Sequence, residues 1–513
     1  VTPRVSSILL PVLASLVFAC GGSAPAPSAP PPPLPEKPVA SAAPSVGETP
    51  DAPFRQQAPK EDGHVTFVPP KVDEFKLKNG IRVLLVERHE LPIVAVRLVV
   101  GAGAGDIEHV RPGAISFLGG MLEQGTKKRT ALQIGDDFDA LGAAHGAWFE
   151  WDSGGASIKV LADKLDPALE IMSDVVENPT FPNDEIERLR ARRIASIQAE
   201  KSSPQAIAQN TLAAAMFGRA HPYGHTLGAE EADAKNLKRD EIVRAYQQLF
   251  TPANVSIVVA GDISREALQP KLEAAFGSWK GKGGPAISKK GPKTPTKAAA
   301  EKRIVVVDKP GAQSQVQIAR PGVPFSTKER DAIIVTNAIL GGMFSSRINL
   351  NLREKHGYTY GARSYFVMRH GAGPFIVTAP VIAEKTIPSI KEIFNELDGL
   401  RQDGPTEREL ELAKESILLS MPSRFESVSD VASAISELLV YDLPLDDFAK
   451  RPARIEAVTA ADVKRIAGEM LDGKQMTVVV VGDKKKLAPE LEALGLGPIE
   501  ERDPYGNPVS SVH

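Results

Sequence analysis

The chain of 513 residues holds a single cysteine, Cys20, so it cannot close an internal disulfide. It also lacks any excess of charge. Sixty-one Lys and Arg against 64 Asp and Glu leave a formal net charge of -3, without the basic footprint of a nucleic-acid binder. No G-x-S-x-G occurs, which leaves a serine hydrolase without its nucleophile elbow. Two glycine-rich stretches fall short of phosphate loops. In "LVVGAGAGD", Asp106 stands where a dinucleotide fingerprint needs its third glycine, and "GSWKGKGG" runs into a linker instead of a helix. His221 and His225 in "HPYGH" have the spacing of a helical metal pair, but Pro222 and Gly224 interrupt the helix that would aim both rings. The apolar run from Val5 to Ala19 is too short to anchor a chain across a bilayer.

That run has another reading. It follows Arg4 and closes on "SLVFAC", which resembles a bacterial lipoprotein signal, so residues 1–20 are expected to direct export and Cys20 to be lipidated. Gly21 after the cysteine favours outer-membrane delivery, facing the periplasm. Residues 21–70 are rich in Pro, Ala and Ser, a composition that buries little apolar area and extends as a tether.

The folded region is expected to comprise two homologous α/β lobes, 71–280 and 301–500, joined by a Gly, Pro and Lys-rich linker at 281–300. In the first, "EFKLKNGIRVLLVER" alternates apolar residues around Asn79-Gly80 and predicts a hairpin. "IVAVRLVV" predicts a strand, Ile115 to Gln124 a helix, "GASIKVL" a strand leading to a helix near Pro167, and "DEIERLRARRIASIQAEK" a long helix. The second half repeats the plan: "RIVVVDK", "SQVQIAR" and "GPFIVTAPV" read as strands, "KERDAIIVTNAILGG" and "ERELELAKESILLS" as helices. "ANVSIVVAGD" and "KQMTVVVVGD" end both lobes in an apolar run closed by Gly-Asp.

With "ENPTFP", "AHPYG" and "LREKHGYTYGARS", this layout resembles the insulinase/pitrilysin-type zinc metallopeptidases, the group that includes mitochondrial processing peptidase. The resemblance covers about residues 75–486 and implies an α+β fold of two lobes, each a mostly antiparallel sheet packed with helices. Active members of that family carry H-x-x-E-H on a helix. Two imidazoles one turn apart hold Zn²⁺, and the Glu takes a proton from the bound water. Here the matching positions are Ser116, Gly119 and Gly120, and ungapped counting places the remaining family ligand, a Glu, at Ser196. None of the four offers the required imidazole or carboxylate.

The second lobe keeps Arg353 and Tyr360, matching a family pair that faces the substrate backbone near the scissile carbonyl. The resemblance therefore implies a subunit with no metal or cofactor of its own, inactive alone, that binds peptide beside an H-x-x-E-H-bearing partner containing the zinc. It implies no nucleic-acid partner, and contact with the membrane through the lipid. The alternative is a non-proteolytic scaffold of the same fold.

Overall fold

The computed structural model describes residues 67–107, 110–281, 286–293 and 303–509; Cys20 and most of the tether lie outside the described residues. The hairpin forms where Phe75 and Leu77 alternate. Strand β1 (Asp73–Lys76) pairs antiparallel with β2 (Arg82–Glu87), and the turn between them uses Gly80 at φ +91°. Four more strands complete the first sheet: β3 (Ile93–Val100), β4 (Ala144–Phe149), β5 (Gly154–Leu161) and β6 (Val255–Gly261). Their order is β1-β2-β6-β3-β5-β4, and β2 with β6 is the parallel pair.

The second sheet repeats this design. It contains β7 (Arg303–Asp308), β8 (Gln313–Pro321), β9 (Arg363–Phe366), β10 (Pro374–Ile382), β11 (Thr477–Gly482) and β12 (Ile499–Glu501), in the order β12-β7-β11-β8-β10-β9. Here β7 is parallel to β11 and β12, while β8 runs antiparallel to β10 and β11. Two lobes, each a mostly antiparallel sheet packed with helices, are what the resemblance implied; the six strands of each sheet are the structure's finding.

Strands β6, interrupted only by Ser256, and β11 read as apolar runs because both faces of each sheet are covered. One face packs on helices of the same lobe. The other is covered by a helix from the opposite half of the chain. Ile435, Leu438 and Leu439 of the Val428–Val440 helix pack on Leu84, Val99 and Val258 of the first sheet. Ile207, Leu212 and Met216 of the Pro204–Phe217 helix belong to one cluster with Val305, Val307 and Val481 of the second. The two lobes thus exchange covers, and neither sheet is buried without the other half.

Candidate functional site

The degenerate stretch folds as the helix Ala114–Met121, entered through Gly113 at φ +85°. Ile115, Phe117, Leu118 and Met121 are buried on the core side, while Ser116 and Gly120 are half-buried. Gly119 lies over β4: a methyl group there would stand 3.4 Å from the Phe149 ring, an ordinary packing distance. Gly120 faces the Asn183–Glu200 helix, and a methyl there would come within 2.9 Å of Leu189 Cδ2. The helix of the degenerate motif and the helix that carries Ser196 therefore meet, with a glycine and a leucine at their contact.

Ser196 lies exposed on the second of these helices. Its hydroxyl donates to Glu200 Oε1 at 3.2 Å, and Arg193 also donates to this carboxylate and to the carbonyl of Ala229 at 2.8 Å. Ala229 touches Gly113, so the guanidinium sits beside the entry of the degenerate helix. The carboxylate one turn beyond Ser196 is committed to an arginine. Nothing in this donor set fits the family's zinc: one or two hydroxyls and a paired carboxylate do not replace two imidazoles and a Glu.

The second lobe has the same four residues at the corresponding place, Leu340-Gly341-Gly342-Met343 against Leu118-Gly119-Gly120-Met121. There the helix Arg330–Asn337 continues in π-type turns to Gly342 and abuts β9. A methyl on Gly341 would collide with the backbone nitrogen of Ser364. Gly341 thus serves a close backbone approach, while its counterpart Gly119 meets its neighbours at ordinary distance.

Arg353 lies in the turns Leu350–Lys355 with its side chain 38% exposed. It contacts Glu354 at 3.3 Å and stacks 4.6 Å over Phe344, a ring that is itself 65% exposed. Tyr360, ahead of β9, is 88% exposed and is not packed at the strand's start. Both groups face solvent.

His221 and His225 flank a short 3₁₀ turn, Pro222–Gly224, as the intervening residues require. His221 Nδ1 accepts from Tyr223 N and Nε2 donates to Lys293 O, each at 3.0 Å, so its nitrogens are both engaged. Burial holds its pKa below the usual imidazole range. A cavity of about 870 Å³ opens beside this turn, walled by Arg111, Gly113, Ile115, Trp151, Arg219 and His225. It includes none of Ser116, Gly119, Gly120, Ser196, Arg353 and Tyr360.

Sequence reasoning missed a buried polar junction between the lobes. The loop after β3 supplies Asp106, the β4–β5 turn Asp152 and the β9–β10 turn His370, which lies 3.0 Å from Asp106 Oδ1 through Nδ1. Burial drives the Asp152 carboxyl upward. Burial also lowers the His370 pKa, but the hydrogen bond and charge of Asp106 outweigh it and the net direction is up. Beside them the Arg369 guanidinium stacks 4.5 Å over each of the Trp151 and Tyr223 rings. No motif spacing links Asp106 to His370. The only local signal was the Asp106 that spoiled a glycine fingerprint, and there Gly103 permits close approach to the β4–β5 turn.

Fold, helix pair and doubled lobe plan together define the class: the chain belongs to the insulinase-type peptidases, family M16. Residues 82–230 match the family model for insulinase (peptidase family M16), and 236–417 match that for the peptidase M16 inactive domain. The "uncharacterized zinc protease YmxG" of Bacillus subtilis is 26% identical over 71% of this chain and 86% of its own length. A Streptomyces coelicolor protein, "uncharacterized zinc protease SCO5738", is 25% identical over 80% of this chain and 89% of its own. Among solved structures, a peptidase M16 inactive domain from Pseudomonas fluorescens superposes with a TM-score of 0.75 at 27% identity, covering 80% of this chain and 98% of that one. A Helicobacter pylori protease gives 0.74 at 22% identity, over 81% of this chain and 100% of that one, and bears on fold alone.

Proposed function

We propose that this chain is the non-catalytic subunit of a two-chain M16 peptidase. The partner carries H-x-x-E-H and its zinc; this chain closes the shared chamber and holds an extended peptide, pairing it with a strand edge. The observation that carries the reading is a contrast within one molecule. The helix that should bear the ligands is folded and packed, with Ser116, Gly119 and Gly120 offering neither imidazole nor carboxylate, while Arg353 and Tyr360 stand exposed on the other lobe. A guanidinium and a phenol are donors suited to negative charge developing on a peptide carbonyl oxygen. Lipidation at Cys20 and a tether would hold the complex at the outer membrane, in the periplasm.

The test uses an H-x-x-E-H homologue encoded in the same genome. Alone, the chain should hydrolyse no peptide with or without added zinc, and the reconstituted pair should be active. Arg353→Ala should lower kcat/KM of the pair about 10²–10³-fold with the complex intact, as loss of an oxyanion donor does. Tyr360→Phe should cost about tenfold or more. Stable association with unchanged rates in both variants would make the chain a scaffold instead.

A further inference from the structure

Neither the degenerate helix nor the Arg353 and Tyr360 pair accounts for the junction of Asp106, Asp152 and His370. Donor atoms from all three lie within 4.8 Å of one another, and every side chain is almost wholly buried, with exposures of 0%, 6% and 3% respectively. We propose that these residues form a divalent-cation site, of the Zn²⁺ or Mn²⁺ class, that fastens the two lobes together.

Three observations carry it. First, His370 Nε2 lies 2.9 Å from the carbonyl oxygen of Val440, which can only accept, so Nε2 bears the hydrogen. In the neutral ring, Nδ1 then presents a lone pair to Asp106 Oδ1 at 3.0 Å and to Asp152 Oδ1 at 3.8 Å. Positive charge belongs between this nitrogen and the two carboxylates, supplied either by a proton on Nδ1 or by a metal ion, and the titration below separates the two. Second, Asp152 Oδ1 is buried with no hydrogen-bond partner and points into this cluster. Third, the remaining atoms of the ligands are anchored as outer-shell partners anchor metal ligands. Asp152 Oδ2 accepts from His370 N and from the Tyr441 hydroxyl, each at 3.0 Å, and Asp106 Oδ2 accepts from Gly103 N at 3.0 Å.

The spacing fits a small ion. Around tetrahedral zinc, with bonds of about 2.0–2.2 Å, donor atoms stand roughly 3.3–3.6 Å apart, between the two separations here. One imidazole with two carboxylates favours Zn²⁺ or Mn²⁺ over Mg²⁺ and Ca²⁺, which prefer all-oxygen shells. Its place argues for a structural role: Asp106 and Asp152 come from the first lobe and His370 from the second, so an ion here would stabilise the assembled pair of lobes. None of Ser116, Gly119, Gly120 and Ser196 belongs to the cluster.

The test takes the purified chain, strips it with chelator, and titrates it with Zn²⁺ and, separately, Co²⁺, following bound metal by elemental analysis and Co²⁺ by visible absorption. One equivalent should bind and raise the thermal midpoint. Asp152→Asn, which keeps the shape, and His370→Gln should each weaken binding at least tenfold, while His225→Gln, in a separate group with Glu230 and Asp233, should leave it unchanged. Failure of the unaltered chain to take up metal would overturn the proposal, and His370 protonated on both nitrogens by NMR would identify the proton as the occupant instead. Uptake indifferent to Asp152 and His370 would overturn it too. The wild-type titration decides even if a variant misfolds.

Discussion

At the scale of single residues, Gly119 and Gly341 make a controlled pair. A helical glycine costs about 1 kcal/mol relative to alanine. At Gly119 a methyl group would meet Phe149 at ordinary contact distance, so Gly119→Ala should stabilise the chain by up to ~1 kcal/mol, read from denaturant midpoints at constant slope. Gly341→Ala should do the opposite, since its methyl meets the Ser364 backbone. Glu177 gives a pH signature. Burial first, and the charge of Asp174 second, raise its pKa from 4.5 to about 7. A carboxyl raised in the folded state binds its proton more tightly there, so its contribution is complete below about pH 4.5 and is lost as pH rises through about 7. Comparing unfolding at pH 5 and pH 8, Glu177→Gln should lose part of the wild-type decline.

At the scale of elements, the exchanged helices make the sharpest claim. Ile435 is 1% exposed and packs on the first sheet although it belongs to the second half of the chain. Ile435→Ala should cost about 2–5 kcal/mol and lower the midpoint of both lobes in one calorimetric transition; two separated transitions would contradict the shared core. These helices also mark how far the sequence could be read. The Asn79-Gly80 turn and the "VVAGD" and "VVVVGD" runs announced their strands because turn chemistry and burial on both faces leave local signals. The Val428–Val440 helix shows an apolar face, yet periodicity says only that the face is buried and never against which sheet. Strand β4 escaped notice because "AHGAWF" lacks a clean alternation. At the site, the missing imidazoles and carboxylate were legible residue by residue; the Arg193–Glu200 pair and the Asp106, Asp152 and His370 junction were not, since contacts across helices and lobes have no fixed spacing.

At the scale of the whole molecule, fragments should test the same architecture. Residues 71–285 and 301–509 expressed separately should each expose an uncovered sheet face and aggregate, whereas co-expression should recover a soluble complex; light scattering and gel filtration distinguish the two. The exchange also has a consequence for the order in which the protein is made. A chain emerging from its N-terminus completes the first sheet well before residues 428–440 exist, and Leu84, Val99 and Val258 stay open to water and to sister chains throughout that interval. The nascent polypeptide is thus its most vulnerable form, and a holding chaperone that binds apolar strands should matter more to its yield than to its finished stability.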